Sequence, residues 1–381
     1  MNGDKNENIN QEDDQDFLEQ FSESVESLEF RKEKRLYGLC IIFLPILITI
    51  LILSIILYSV FKEPIKKGKE NNDNYESELF NYTIRERIAV TQNDSKPVPL
   101  FNDHFTNLEN NIISIKINNK TIKEIQNYYS FNRIGNYLVE ITFNKKLESM
   151  QEIFNDCTDI VELDLSDIST NEVKSMKSAF NGCSKLVKIN LDNFNTSSVT
   201  DMSNMFSGCH SLISLNLFNF NTTLVQDMSN MFQNCTRLKY INISSFNTKN
   251  VYKMNYMFNF CNLSSIDVSN FNTQKVVYMQ YMFSHSGFLT SLNLSNFDTR
   301  EVVDFSYLFE GNKYLTNIDI SNFYTDKMNS FKDMFLGLPA KGTITFNLYK
   351  TSARILNQIP DGWKKIKYIE KWEIGLIDLK L

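Results

Sequence analysis

Glycine is scarce, with 12 residues in 381, and histidine scarcer still, with three. So few glycines leave little room for a loop that wraps a phosphate in backbone N–H groups, and no such motif occurs. The six cysteines include no Cys-x-x-Cys pair, so the paired thiolates of a structural zinc site are missing. His104, His210 and His285 come with no recurring acidic partner to orient them, although His210 adjoins Cys209. Paired carboxylates in a catalytic pattern are lacking too, and the chain reads as a non-enzyme with no metal and no cofactor. A long Lys/Arg run in the body is also absent, which removes the counter-ion release behind nucleic-acid binding and argues against a nucleic-acid partner.

The charge that is present is uneven. Residues 1–30 carry ten acidic side chains against Lys5 alone, so the tail holds nine negative charges while the whole chain stands at −6. Such density predicts disorder over residues 1–36. Phe17, Phe21, Val25 and Leu28 nevertheless fall at helical spacing, which points to a short helix formed on a cytoplasmic partner.

Residues 37–61, "YGLCIIFLPILITILILSIILYSVF", contain no charge and are long enough to cross an apolar bilayer core of about 30 Å. They are too long, and begin too late, for a cleaved signal peptide. Basic residues flank both ends evenly, so the positive-inside rule leaves orientation open. All Asn-x-Ser/Thr sequons lie C-terminal to this span, among them Asn81, Asn93 and Asn119, which favours the C-terminal part outside as a glycoprotein. The expectation is a type II single-pass plasma-membrane protein.

Beyond residue 147 the chain is dominated by self-similarity. Phe154, Phe180, Phe206, Phe232, Phe258, Phe283, Phe309 and Phe335 recur every 26 residues, with one interval of 25. Three residues after each of the first five stands a cysteine (Cys157, Cys183, Cys209, Cys235, Cys261), and the column continues as Ser286, Asn312 and Leu338. Each coil also carries Leu-x-x-Leu-x-Leu, whose alternation at its end marks a short strand, and then Val-x-x-Met. Stacked coils pair such strands in parallel about 4.8 Å apart. The fold class expected is an α/β or mainly β repeat protein, a solenoid of 26-residue coils with parallel β-strands. The column cysteines are expected as buried free thiols.

"FNTSSVTDMSNMFSGCHSLISLNL" and "FNTTLVQDMSNMFQNCTRLKYINI" resemble the repeats of BspA-like leucine-rich-repeat surface proteins of bacteria and protists. The resemblance covers roughly residues 147–336 and implies a leucine-rich-repeat solenoid and a role in adhesion or recognition at the cell surface. It implies no catalytic residues. Where a generic leucine-rich repeat has its buried asparagine ladder, this chain has Phe194, Phe220, Phe246, Phe271, Phe297 and Phe323, so backbone groups at that corner need another partner. The Thr column two residues later (Thr196, Thr222, Thr248, Thr273, Thr299, Thr325) is the expected source.

The organisation expected is a cytoplasmic acidic tail (1–36), a transmembrane helix (37–61), a stalk (62–109), an N-terminal cap (110–147), the leucine-rich-repeat solenoid (148–338) and a C-terminal cap (339–381). On the outer strand face Asn216 and Asn242 belong to a polar ladder, and Phe218 and Tyr240 stand where other coils have Ser, Asn or Asp. These four are the candidate contacts for an extracellular protein or glycan. A surface-coat protein without a specific ligand is the alternative, as is an intracellular membrane-tethered scaffold if the topology is reversed.

Overall fold

The computed structural model describes residues 81–91, 96–102 and 112–368. The acidic tail, the apolar run 37–61, most of the expected stalk, Cys40, Asn93, His104 and Trp372 lie outside them. Among the described residues no helix is long and apolar enough to cross a membrane. They build a mainly β repeat protein, all within one compact unit, Ser77–Leu381.

A largely antiparallel sheet comes first among the described residues. β1 (Tyr82–Val90) pairs on one side with β6 (Gly135–Phe143) and on the other with β7 (Ile160–Asp164), while β3 (Ile112–Ile117) and β4 (Lys120–Thr121) extend the sheet beyond β6. β2 (Val98–Pro99) and β5 (Tyr128–Tyr129) form a separate small pair. β3 and β6 both fall within 110–147, the segment expected as the N-terminal cap. The stalk reading of 62–109 fails over residues 82–90, because Ile84, Ile88 and Val90 alternate inward and make β1 the strand that joins cap to first coil. Its Arg85, Glu86 and Arg87 hid the alternation.

From β7 onward all coils but one add a short strand, β8 (Lys188–Asn190), β9 (Ser214–Asn216), β10 (Tyr240–Asn242), β11 (Ser291–Asn293) and β12 (Asn317–Ile320), paired in parallel as β7 with β8, β9 with β10 and β11 with β12. The coil between β10 and β11 has no strand. Its leucine, Leu263, follows Cys261 by two residues instead of the three that separate Cys183 from Leu186 and Cys209 from Leu212. That lost residue is the 25-residue interval, and it draws the segment out of register with its neighbours. The solenoid does not stop at 338. β13 (Gly342–Asn347) and β14 (Trp363–Tyr368) continue the parallel sheet, with the short helix α1 (Ala353–Leu356) between them, N-capped by Ser352.

The core is built from columns. The Phe154 to Phe335 column is buried and stacks from coil to coil, with ring centroids 5.2–6.5 Å apart and planes within 23°. The second phenylalanine column is buried as well, with Phe194 over Phe220, Phe246 over Phe271 and Phe271 over Phe297. Val, Met and Leu of each coil fill the space between them.

Polar columns tie the coils together. The Thr hydroxyls behave as expected: Thr170, Thr196, Thr222, Thr248, Thr273, Thr299 and Thr325 each donate to a backbone carbonyl of the next coil at 2.8–3.2 Å. The asparagine ladder is displaced rather than replaced. Asn193, Asn219, Asn270 and Asn296, each just before a spine phenylalanine, donate from Nδ2 to carbonyls of the preceding coil.

The cysteine column has a donor role beyond filling space. Cys183, Cys209, Cys235 and Cys261 are free, buried, and point Sγ at the carbonyl of the previous coil's column phenylalanine, 3.0–3.2 Å away. Ser286 Oγ and Asn312 Nδ2 make the same bond to Phe258 and Phe283. Leu338 has no donor to continue the series, and Asn312 serves the Phe309 carbonyl with its second amide hydrogen. Burial pushes the Cys235 thiol up to about 12, so it stays protonated and able to donate. Cys235→Ser is therefore expected to keep most of the stability, and Cys235→Ala to lose about 1–3 kcal/mol, in urea unfolding. A loss with serine as large as with alanine would mean that the sulfur only occupies volume.

Candidate recognition surface

The strand that ends each coil puts one residue inward and its neighbours outward. In β9 and β10, Leu215 is buried while Ser214, Asn216, Tyr240 and Asn242 are exposed, and the register sets Tyr240 beside Ser214 and Asn242 beside Asn216. Tyr240 is 61% exposed and Phe218 57%. Phe218 does not lie on the strand, as expected from sequence, but two residues past its end, in the turn.

The two asparagines have work of their own. Asn216 Oδ1 accepts from the Phe218 N–H at 3.4 Å, and Asn242 Oδ1 accepts from both Ser244 N and Ser244 Oγ. The same turn recurs at Asp164, Asn190, Asp267, Asn293 and Asp319. The polar ladder thus closes the strand's exit turn. What remains for a partner is the amide nitrogen of Asn216 and Asn242, with one further acceptor site on Asn216 Oδ1.

Further exposed aromatics escaped the sequence reading. Phe288 and Tyr314, 51% and 55% exposed, stack with centroids 5.6 Å apart. They stand two residues after Ser286 and Asn312, where earlier coils carry Lys185, Ser211 and Arg237, so a column-by-column alignment would have found them. On another face Tyr256, Tyr281 and Tyr307 stack at 4.6 and 4.4 Å, and Phe260 stacks on His285 at 4.4 Å. All five of these residues hold positive φ, between 52° and 60°. Burial, with neighbouring tyrosines, raises Tyr281 to about 12. Of the expected glycosylation sites, Asn81 and Asn119 are exposed, and Asn119 occupies the turn between β3 and β4.

One buried titratable group stands apart from these surfaces. Glu86 of β1 is fully buried and neither carboxylate oxygen finds a hydrogen-bond partner among the described residues. Burial raises its pKa well above 4.5, and Cys157 and Cys183 lie close enough for their own thiols to feel its charge. No group of His, Cys, Asp and Glu among the described residues could hold a metal ion.

The family whose model matches this chain is described as "Mycoplasma protein of unknown function, DUF285", and it matches twice, over residues 148–262 and 229–346. Together the two matches run from 148 to 346, just over half of the 381 residues. No curated protein and no solved structure matches the chain.

The buried carboxyl gives stability a definite pH dependence. Above pH 4.5 the unfolded chain releases the Glu86 proton while the folded chain keeps it, so stability falls as pH rises toward the raised folded value. The slope from this group is about 1.4 kcal/mol per pH unit within that window. Glu86→Met is expected to gain most over wild type at alkaline pH, by a margin that shrinks as the pH is lowered through the window between the raised folded value and 4.5. A margin independent of pH would show that Glu86 is not held neutral.

Proposed function

The chain belongs to that family, and on its own geometry we propose that it is a single-pass cell-surface protein of the BspA-like, leucine-rich-repeat kind that recognises or adheres to protein or glycan partners. It acts by surface complementarity, with no catalytic step. The observation that carries this reading is the set of large aromatics held exposed on a frame that allows them little freedom: Tyr240, Phe218, Phe288 and Tyr314. Leaving such rings in water costs free energy that a soluble repeat has no folding reason to incur in several coils, and aromatic anchors on rigid elements are what recognition surfaces use. Rigidity here comes from the strand register and from turns closed by Asn216 and Asn242.

The apolar run 37–61 supplies the anchor in this reading, and the position of the sequons favours the solenoid outside, with the acidic tail toward a cytoplasmic partner. Protease protection on sealed cells carrying tags at both ends tests the topology. Loss of the C-terminal tag alone is expected; loss of the N-terminal tag alone would make the chain an intracellular scaffold. The double variant Phe218→Ser with Tyr240→Ser is expected to fold normally and to reduce cell-surface adhesion at least tenfold, as hot-spot truncation of about 1.4 kcal/mol or more does. Undiminished adhesion with an intact solenoid would move the contact elsewhere or leave a coat protein with no specific ligand.

A further inference from the structure

The segment around each column phenylalanine obeys an unusual hydrogen-bond rule. Every second N–H in it points to the next coil, and the N–H groups between them close turns within their own coil. In the third coil Met202, Asn204, Phe206 and Gly208 donate to the carbonyls of Asp227, Ser229, Met231 and Gln233, while Met205, Ser207 and Cys209 donate three residues back. Left-handed residues at Asn204 (φ 57°) and Gly208 (φ 72°) make this possible, and the same two positions are left-handed in every coil.

Peptide groups consequently line up in files along the solenoid, each accepting from one side and donating to the other. The phenylalanine file is unbroken: Phe154, Phe180, Phe206, Phe232, Phe258, Phe283 and Phe309 each donate to the next coil at 2.9–3.1 Å, ending on the carbonyl of Met334. The files through Glu152 and Asp156 are unbroken as well. All run the same way, so their dipoles add as they do in a helix, negative toward the N-terminal cap and positive toward the C-terminal end.

The two ends are treated differently. At the N-terminal end Asn102 closes the Phe154 and Asp156 files, its N–H on the Ile153 carbonyl at 2.9 Å and its Nδ2 on the Asn155 carbonyl at 3.0 Å. At the other end the N–H groups of Phe331, Asp333, Phe335 and Gly337 find no acceptor among the described residues. Asp333 and Gly337 are left-handed like their counterparts, which keeps the four donors aligned. Gly337 is exposed, Phe331 and Asp333 are half-buried, and Phe335 is buried. The exposed guanidinium of Arg354 lies over the Phe331 ring, 4.9 Å from its centroid. Around this end the residues 339–368 carry Lys341, Lys350, Arg354, Lys364, Lys365 and Lys367 against Asp361 alone.

We propose that the row of N–H donors at Phe331, Asp333, Phe335 and Gly337, with Arg354, is a binding site for an oxyanion such as a sulfate, phosphate or carboxylate group. Aligned turn N–H groups form an anion-binding concavity, and the summed dipoles of the stacked coils with a neighbouring guanidinium favour negative charge there. The Asp333 carboxylate opposes binding and sets the site toward weak, reversible capture. This site lies where the peptide files end, beside α1, and stands independently of the sheet-face reading.

The test uses the full chain in detergent micelles with isotope-labelled glycines, titrated with sodium sulfate against sodium chloride at constant ionic strength. A saturable shift of the Gly337 amide is expected, with Gly182 and Gly208, whose N–H groups are bonded to the next coil, unmoved. Arg354→Gln should weaken the binding several-fold and Asp333→Asn should tighten it. A Gly337 shift that never saturates, or that ignores both substitutions, would overturn the proposal. Saturation seen only after deletion of residues 369–381 would mean that the chain's own end occupies the row, and would overturn an external ligand. Repeating the titration with a sulfated oligosaccharide separates the sources: tighter binding than sulfate assigns the site to a polymer-borne group, equal binding to the free ion.

Discussion

The structure depends on one constraint: a stack of coils can share a core only if every buried peptide group in one coil finds its partner in the next. On one side parallel strands meet this need, three or so residues per coil. On the opposite side the chain turns too tightly for a strand, and the segment around the column phenylalanine meets the need by sending alternate N–H groups across to the next coil. Two left-handed residues per coil are the cost, about 1 kcal/mol or more each where the residue is not glycine. Several hydrogen bonds per coil offset it.

Side chains extend the same principle. The Cys, Ser and Asn of one column all donate to the carbonyl of the preceding phenylalanine, which explains how a column can change residue type from Cys to Ser to Asn and keep one role. Thr and Asn columns do likewise at the corner beside the spine. With polar groups satisfied in this way, phenylalanine rings can stack along two columns without leaving a backbone group stranded before the coil of Phe335. Among the described residues Glu86 is an exception, an unpaired acid in the core where the cap meets the coils, and Gln280 Oε1 and Asn347 Nδ2 are buried without a partner as well.

Much of this was legible in the sequence because a repeat states its core many times. The period placed both phenylalanine columns, the Thr column and the short strands. β1 was missed because the charged Arg85-Glu86-Arg87 interrupts its pattern and one of the three faces the core. The left-handed columns were written in Asn204, Gly208, Asn230 and Asn234, but later coils put Tyr256, Phe260 and Tyr281 there, which conceals the signal. Of the candidate contacts, exposure of Phe218 and Tyr240 was evident once they were read against their columns. The turn-closing role of Asn216 and Asn242 was not, since it depends on where each strand ends. The stacked pair Phe288 and Tyr314 needed the one-residue deletion after Cys261 to be located before the columns could be aligned.

The central claim is that directional files of peptide hydrogen bonds hold the coils together and end open. Amide hydrogen exchange resolved by residue tests it most directly. Strong protection is expected at Phe180, Phe206, Phe232, Phe258, Phe283 and Phe309, with the Phe335 and Gly337 amides exchanging orders of magnitude faster although the Phe335 side chain is buried like the rest of its column. Equal protection along the whole column, the last coil included, would contradict it.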